Sequence, residues 1–199
     1  MADLLPIDLG EGLVLHSVVA ADADEAVALV DAERARLRQW LPWVALTTHV
    51  ENQRQILAGL EAVSDDGSGI YTALRLDGSL VGFADVRRDR LGTGGEVGYW
   101  LARSAEGRGV MTRTVAALVD LAFGVLGLHR VQLQAATGNT RSRAVAERLG
   151  MTFEGVRREA EELAHGFVDL AVYSVLAHEW PCSPAIKLHS ETAKPASAP

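Results

Sequence analysis

A short turn with two glycines, placed between an apolar stretch and the start of a helical pattern, has the clearest chemical potential in this sequence. The turn reads Glu106-Gly107-Arg108-Gly109 and follows the apolar stretch 96–102. Glycines lack side-chain bulk, so a ligand can approach the backbone N–H groups closely. A helix that starts here adds free N–H groups and the positive end of its dipole. The pattern therefore favours binding of a phosphate or pyrophosphate.

Two familiar phosphate-binding motifs do not fit this turn, which we call the glycine turn (residues 106–109). A P-loop closes with Gly-Lys-Ser or Gly-Lys-Thr, whereas Gly109 is followed by Val110 and Met111. The dinucleotide fingerprint needs a third glycine, and Thr112 stands at that position. A different phosphate-bearing ligand is therefore expected.

Hydrophobic periodicity predicts the elements that position the glycine turn, in the order β-α-α-β-β-β-α-β-α-β-β. Thr48 and Glu51 have the spacing of a capping box and predict the start of the second helix. Asp77-Gly78 predicts a hairpin, and Asn139 or Thr140 is expected to cap the last helix. Residues 96–137 predict a parallel β-α-β crossover. The expected fold class is α/β (α+β), with a mixed sheet of about seven strands, antiparallel in its N-terminal part and flanked by helices.

Composition limits the function classes. The chain has 199 residues, 48% of them hydrophobic, and a net charge of −7, which argues against a general nucleic-acid binder. No apolar run is long enough to span a bilayer and no signal peptide is evident, so we expect a cytoplasmic protein without membrane association. Cys182 is the single cysteine and the six histidines are scattered. No metal site or disulfide framework is expected.

The last residues differ in composition from the rest of the chain. From Pro181 the sequence is rich in Pro, Ser, Ala and Lys and has few large apolar residues. Such a segment cannot bury enough surface to offset the entropy of ordering. We expect one folded domain over residues 1–180 and a flexible tail over residues 181–199.

Several short motifs are spread along residues 8–180. They are Trp40-Leu41-Pro42-Trp43, Gly98-Tyr99-Trp100-Leu101, the glycine turn with Met111-Thr112, Ala136-Thr137-Gly138-Asn139 with Ser142, Glu147-Arg148-Leu149-Gly150-Met151, Glu154-Gly155 and Arg158-Glu159-Ala160-Glu161. As a set they resemble the GNAT acetyltransferase superfamily. Within it they are similar to the RimJ/RimL type, which acetylates the N-terminal amine of ribosomal proteins. The resemblance implies the GNAT fold and an acyltransferase that carries out direct attack of an amine on a thioester.

The resemblance also implies acetyl-CoA as the acetyl donor. The expected cofactor-binding residues are Tyr99, Trp100, Leu101, Gly107, Arg108, Gly109, Val110, Met111, Thr112 and Asn139. The glycine turn and the helix start would hold the pyrophosphate, and the pantetheine arm would lie along the strand. Glu106 and Met111 depart from the family pattern, which has Gln or Arg and a small residue there. Because backbone groups do the binding, we expect these departures to be tolerated. Asn139 could equally serve as a helix cap alone.

Acetyl transfer to an amine needs a base for the amine proton, donors for the thioester oxygen, and a proton for the leaving thiolate. The resemblance implies Glu161 as the base and Ser142 as the acid. Glu161 could instead be a solvated charge, and Glu159 would face inward if the strand register shifts. Ser142 could be an ordinary first-turn residue. A backbone N–H near Trp100 or Leu101 is the expected oxyanion donor. Cys182 lies beyond the residues that match the family, so a covalent acyl-cysteine route is not expected.

Trp40, Trp43 and Tyr99 could shape the acceptor slot, which is expected to lie in variable loops around residues 40–48, 88–95 and 161–166. Trp100 could equally be a core residue. Arginines cluster around the expected cofactor end, and one or two of them are expected to meet phosphates. These are Arg103, Arg108, Arg113, Arg141 and Arg143.

Three functions remain open at this point. The first is acetylation of a protein or peptide N-terminus, most simply of a ribosomal protein. The second is acetylation of a small-molecule amine, such as an antibiotic or an aminoacyl compound. The third is an acyl-CoA-binding module without turnover. A homodimer is also possible on sequence grounds.

Overall fold

The computed structural model describes residues 4–45 and 47–181. Within them the strands are β1 (Ile7–Asp8), β2 (Leu13–Ser17), β3 (Gly69–Leu76), β4 (Ser79–Arg88), β5 (Gly94–Leu101), β6 (Arg130–Ala136), β7 (Thr152–Leu163) and β8 (Gly166–Leu176). They form one sheet in the order β1-β2-β3-β4-β5-β6-β8-β7. All neighbours are antiparallel except β5 and β6, which are parallel.

Helices cover both faces of this sheet. They are α1 (Ala23–Leu37), α2 (Val50–Asp66), α3 (Val110–Gly124) and α4 (Thr140–Arg148). Leu57 of α2 packs with Ala73 of β3 on one face. On the other face, Leu118 of α3 packs with Val97 and Leu133 of the parallel pair. This second interface contains most of the buried apolar side chains and fixes α3 against β5 and β6, as a β-α-β crossover requires.

The sheet has eight strands among the described residues, one more than the sequence pattern predicts. The additional strand is β1, whose two residues pair with Val14 and Leu15 of β2. A two-residue strand is too short to produce a periodic pattern, so it left no signal in the sequence. The predicted hairpin between β3 and β4 is confirmed, since Asp77 and Gly78 have φ values of +51° and +83°, as a type I′ turn requires.

Helix starts follow the sequence only in part. The predicted capping box is wrong, because α2 begins at Val50 with His49 as its N-cap and without a side-chain cap. The prediction for α4 is confirmed: its N-cap is Asn139, whose Oδ1 accepts a hydrogen bond from the Ser142 N–H at 3.2 Å.

The parallel strands β5 and β6 separate at their carboxyl ends. They pair only from Gly94 opposite Arg130 to Val97 opposite Leu133. Beyond that point β5 continues to Leu101 beside β4 alone, and β6 continues beside β8 alone. The separation opens a gap in the middle of the sheet, which we call the strand split.

The described chain ends just after β8. Trp180 packs on the core, and its indole N–H donates to Asp120 of α3 at 2.7 Å. The predicted flexible tail begins at residue 181, and residues 182–199, with Cys182, lie outside the described residues. No helix in the described part of the chain is long and apolar enough to cross a membrane.

Candidate active site

A cavity of about 510 Å³ occupies the strand split. Seven residues that the sequence analysis singled out line it: Trp40, Trp43, Tyr99, Trp100, Asn139, Ser142 and Glu161. They come from the segment after α1, from β5, from the start of α4 and from β7. The fold thus brings the predicted catalytic residues and the predicted acceptor residues into one space.

Residues from both faces of the sheet line the cavity. Alternate residues of β5 face opposite sides, and both Tyr99 and Trp100 contribute to the lining. Trp100 faces the α1 side, with ring centroids 6.2 Å from Trp43 and 5.6 Å from Phe83. Tyr99 faces the α4 side, where its hydroxyl lies 2.9 Å from the Ser142 hydroxyl. A donor from the α4 side and an acceptor from the α1 side can therefore meet in the gap.

The Tyr99–Ser142 pair can supply a proton. Burial raises the pKa of Tyr99 to about 12, against a smaller lowering from its hydrogen bond with Ser142. Tyr99 therefore keeps its proton at neutral pH, and its hydroxyl also lies 3.2 Å from the Ser142 carbonyl oxygen, to which it can donate. When Tyr99 instead donates its single hydrogen to the Ser142 hydroxyl oxygen, the Ser142 hydroxyl can direct its own hydrogen elsewhere.

A bulge in β7 decides which glutamate faces the cavity. Arg157 pairs with Leu170 and Glu161 pairs with Val168, so three residues of β7 stand opposite one residue of β8. Glu159 occupies the bulge with a φ of +46° and donates its N–H to Asp169 at 2.8 Å. Bulges redirect the side chains that follow them. Glu161 lines the cavity, whereas Glu159 is exposed and is not among its lining residues.

Backbone N–H groups of β5 also point into the split. The Trp100 carbonyl faces β4, since a Cβ added at Gly82 would come within 2.3 Å of that oxygen. Peptide groups alternate along a strand, so the N–H groups of Tyr99 and Leu101 point toward β6, where the pairing has ended. Of the two positions expected for an oxyanion donor, this orientation favours Leu101 over Trp100.

The glycine turn stands open beside the start of α3. Gly107 and Gly109 have φ values of +76° and +69°, and a Cβ added at either would have no atom within 4 Å. Gly109 is the N-cap of α3. Val110 and Met111 bury their side chains in the core, so they present only backbone toward the turn. This explains how a methionine fits where the family has a small residue.

Glu106 has a structural role that its position in the loop did not reveal. It accepts a hydrogen bond from Arg36 Nη1 at 2.9 Å and pairs with Arg141. Arg36 also donates to the Leu101 carbonyl oxygen at 2.5 Å. Glu106 thus connects α1, the end of β5 and α4 around the split.

The predicted arginine cluster is largely committed to protein partners. Arg113 donates to the carbonyl oxygens of Leu9 and Gly10, and Arg143 donates to the Tyr173 hydroxyl. Arg108 is half exposed and lies 3.8 Å from an exposed Asp77. Arg108 therefore keeps the freedom to turn toward a phosphate beside the glycine turn.

One of the loops expected around the acceptor does not reach the cavity, and several polar residues that line the cavity were not predicted. No residue of the segment 88–95 lines the cavity; Arg88 instead donates to Leu126 at the amino end of β5. The polar residues that were not predicted include Asp85, Arg87, Glu96 and Gln134. Asp85 is a carboxylate inside an apolar strand, which was the available signal. Burial raises its pKa to about 6, partly offset by Arg87, and Glu96 raises it further.

Comparison with known proteins agrees with this geometry. The family model described as "Acetyltransferase (GNAT) domain" matches residues 13–152. The chain belongs to the GNAT acetyltransferase family. It is an acyltransferase with acetyl-CoA as its donor, and the open glycine turn and the strand split suit such a ligand.

Relatives named as acetyltransferases match more than four fifths of the chain. "Putative ribosomal N-acetyltransferase YdaF" of Bacillus subtilis (strain 168) is 33% identical over 86% of this chain and 95% of its own length. The ribosomal-protein-serine acetyltransferase of Escherichia coli (strain K12) is 26% identical over 84% of this chain and 94% of its own. The structure of Mycobacterium smegmatis RimJ in complex with CoA-disulfide has a TM-score of 0.78 and 28% identity, covering 87% of this chain and 86% of that one.

Proposed function

We propose that this GNAT enzyme acetylates the N-terminal α-amine of a protein, with a ribosomal protein as the acceptor, in the cytoplasm. The observation that carries the proposal is the strand split, where Glu161 and the Tyr99–Ser142 pair line one cavity from different elements. The names of YdaF and of the E. coli relative support a ribosomal protein as the acceptor.

The donor side is built from backbone groups. The N–H groups of residues 107–112 would bind the pyrophosphate, with the positive end of the α3 dipole behind them. The N–H groups of Tyr99 and Leu101 would bind the pantetheine arm and the thioester oxygen, with Asn139 on the opposite wall. Acetyl-CoA supplies the activated acetyl group.

The acceptor side would be shaped by the tryptophans. Trp40 reaches over the cavity to Gly138, where an added Cβ would come within 3.8 Å of its ring. Trp43 packs beside Trp100. An extended N-terminal segment could pass between these rings and place its amine beside Glu161. No residue in this arrangement needs to form a covalent intermediate.

The proposed reaction moves one proton from the acceptor amine to the leaving thiolate. Glu161 accepts a proton from the amine, whose nitrogen forms a bond to the acetyl carbon. The carbon–sulfur bond breaks, and Ser142 gives its proton to the leaving thiolate while Tyr99 stabilises the serine oxygen. Solvent carries the proton from Glu161 and restores Ser142, so no net proton is gained or lost by the protein.

The proposal is tested with purified enzyme, acetyl-CoA and a panel of acceptors. The panel contains peptides with the N-terminal sequences of ribosomal proteins, the same peptides with a blocked N-terminus, and small amines. Thiol release reports turnover, and mass spectrometry locates the acetyl group. We expect acetylation of free N-termini only. Turnover confined to small amines would assign a small-molecule acceptor instead, and binding of acetyl-CoA without thiol release would indicate a non-catalytic module.

A further inference from the structure

We propose that Asp85 is the residue that binds the ammonium form of the acceptor amine and sets a preference for cationic acceptors. The inference rests on the proposed function, because it concerns the acceptor side of the same cavity. It assigns Asp85 a task separate from that of Glu161: the bound ammonium first releases one proton to solvent, and Glu161 then accepts a second proton from the neutral amine as its nitrogen bonds to the acetyl carbon.

Asp85 lies where an acceptor would arrive. It is opposite Gly98 in the pairing of β4 and β5, at the first residue of β5 beyond the pairing with β6. A Cβ added at Gly98 would come within 3.0 Å of Asp85 Oδ1, so the glycine leaves space for the carboxylate to extend over β5. About a fifth of the Asp85 side chain (21%) is accessible. The carboxylate is therefore desolvated but reachable from the cavity.

Asp85 also has unused capacity as a hydrogen-bond acceptor. A carboxylate can accept about four hydrogen bonds. Among the residues that the structure describes, the single polar partner of the Asp85 carboxylate is Arg87, with Nε 2.9 Å from Oδ2. Glu96, the neighbouring carboxylate, is different, since it accepts from Gln132 at 2.8 Å and from Gln134 at 2.7 Å. A desolvated carboxylate with so few donors suits an ammonium ligand.

The charge of the cavity supports a cationic acceptor. Three carboxylates line it, Asp85, Glu96 and Glu161, against one cation, Arg87, which gives a net charge of −2. Arg87 is shared, because it also contacts Glu96 at 3.3 Å. One guanidinium cannot neutralise both of its carboxylate neighbours, so an incoming ammonium would restore the balance.

The protonation of Asp85 should then be visible in acceptor binding. The groups that face it are Tyr71 from β3, Arg87 from β4 and Glu96 from β5, with Glu161 of β7 across the cavity. Burial raises the pKa of Asp85 to about 6. Asp85 is therefore charged at neutral pH and loses its charge as the pH falls through about 6, so the KM for an amine acceptor should rise below that pH.

The experiment measures kcat and KM for the best acceptor of the panel against pH, in the wild type and in Asp85→Asn. At pH 7.5 we expect the variant to raise the acceptor KM at least ~10-fold with kcat within ~3-fold, as loss of a charge-assisted contact predicts. The Kd for acetyl-CoA should stay unchanged. The rise of KM below pH 6 should be present in the wild type and absent in the variant. Asp85→Glu, which keeps the charge, should recover part of the affinity.

Asp65→Asn serves as the matched control, since Asp65 is an exposed aspartate on α2 outside the cavity. An unchanged acceptor KM in Asp85→Asn, or a wild-type KM that is flat between pH 5 and 7, overturns the assignment. So does a fall in kcat at constant KM, which would indicate a role in the chemical step. A flat wild-type profile needs no variant and overturns the assignment even if Asp85→Asn fails to fold. A wild type that acetylates no peptide contradicts the proposed function instead.

Discussion

The hydroxyl groups of Tyr99 and Ser142 lie 2.9 Å apart and join β5 to α4 across the strand split. They are 43 residues apart in the sequence, and the parallel crossover through α3 and β6 brings them together. The contact places a buried phenol, whose pKa is raised to about 12, beside the serine that is the proposed acid. Substituting Tyr99 and Ser142 one at a time therefore separates what each hydroxyl contributes to protonation of the leaving thiolate.

Ser142→Ala tests the proposed acid. The substitution removes the hydroxyl and retains the N–H that Asn139 accepts from, so α4 should keep its cap. We expect kcat to fall by about 10²-fold, at the lower end of general acid catalysis, with the Kd for acetyl-CoA unchanged. Single-turnover thiol release measures the chemical step. Tyr99→Phe should have a smaller effect, and a Ser142→Ala enzyme with wild-type kcat would remove serine from the mechanism.

Glu161→Gln tests the proposed base by keeping the shape of the side chain and removing its ability to take a proton. We expect the rate to fall by about 10²–10⁴-fold. The loss should shrink at high pH, where more of the amine is already neutral. Glu159→Gln is the matched control, because Glu159 sits in the bulge and outside the cavity. If both variants keep near wild-type rates at neutral pH, water relay or binding of the neutral amine replaces the glutamate base.

Gly109→Asp tests the glycine turn by putting a negative charge where the pyrophosphate is expected. We expect at least a ~10-fold loss of acetyl-CoA affinity, as one lost charge-assisted contact predicts. Gly127→Asp is the control at the other end of α3, with a similar φ of +64° against +69° and open space around an added Cβ. It should share any cost of left-handed backbone strain and bind acetyl-CoA normally. Equal affinities for the two variants, measured by calorimetry, would locate the pyrophosphate elsewhere.

Asp85→Asn should make the protein more stable at neutral pH, even though it weakens acceptor binding. The pKa of Asp85 is raised from 3.8 to about 6, so between about pH 4 and pH 6 the native state holds a proton that the unfolded state has released, and above that range the buried charge costs stability. The stability associated with this group is present below pH 4 and is lost as the pH rises through 6. Each pKa unit corresponds to ~1.4 kcal/mol, so the variant should gain up to about 3 kcal/mol at pH 7.5. Thermal unfolding measured near pH 3.5 should show no gain in stability for the variant. If Asp85→Asn is less stable than the wild type at pH 7.5, burial of the Asp85 carboxylate does not cost the protein stability.

Local signals in the sequence predicted the features that depend on a few adjacent residues. The start of α3 after Gly109, the turn at Asp77-Gly78 and the cap at Asn139 are of this kind. Each depends on backbone conformations that one or two residue types prefer. The spacing of Thr48 and Glu51 misled because α2 begins at Val50 with His49, not Thr48, as its N-cap and without a side-chain cap.

Features that depend on distant residues could not be predicted in the same way. The direction of Glu161 depends on a bulge whose Glu159 N–H is held by Asp169 of the next strand. The structural role of Glu106 depends on its hydrogen bond with Arg36, which lies 70 residues earlier in the chain. Asp85 extends into the site because Gly98 of the next strand lies opposite it. In each case the decisive partner belongs to another element, and no spacing along the chain specifies it.

The most direct test of the account is a crystal structure of the enzyme with CoA, because the central claim is that acetyl transfer takes place in the strand split. The account predicts the pyrophosphate on the N–H groups of residues 107–112 and the pantetheine arm beside Tyr99 and Leu101. The CoA sulfur should lie within about 3–4 Å of the Ser142 hydroxyl, as a near-attack geometry requires. A sulfur atom outside the split, or a pyrophosphate bound away from the glycine turn, would contradict the account.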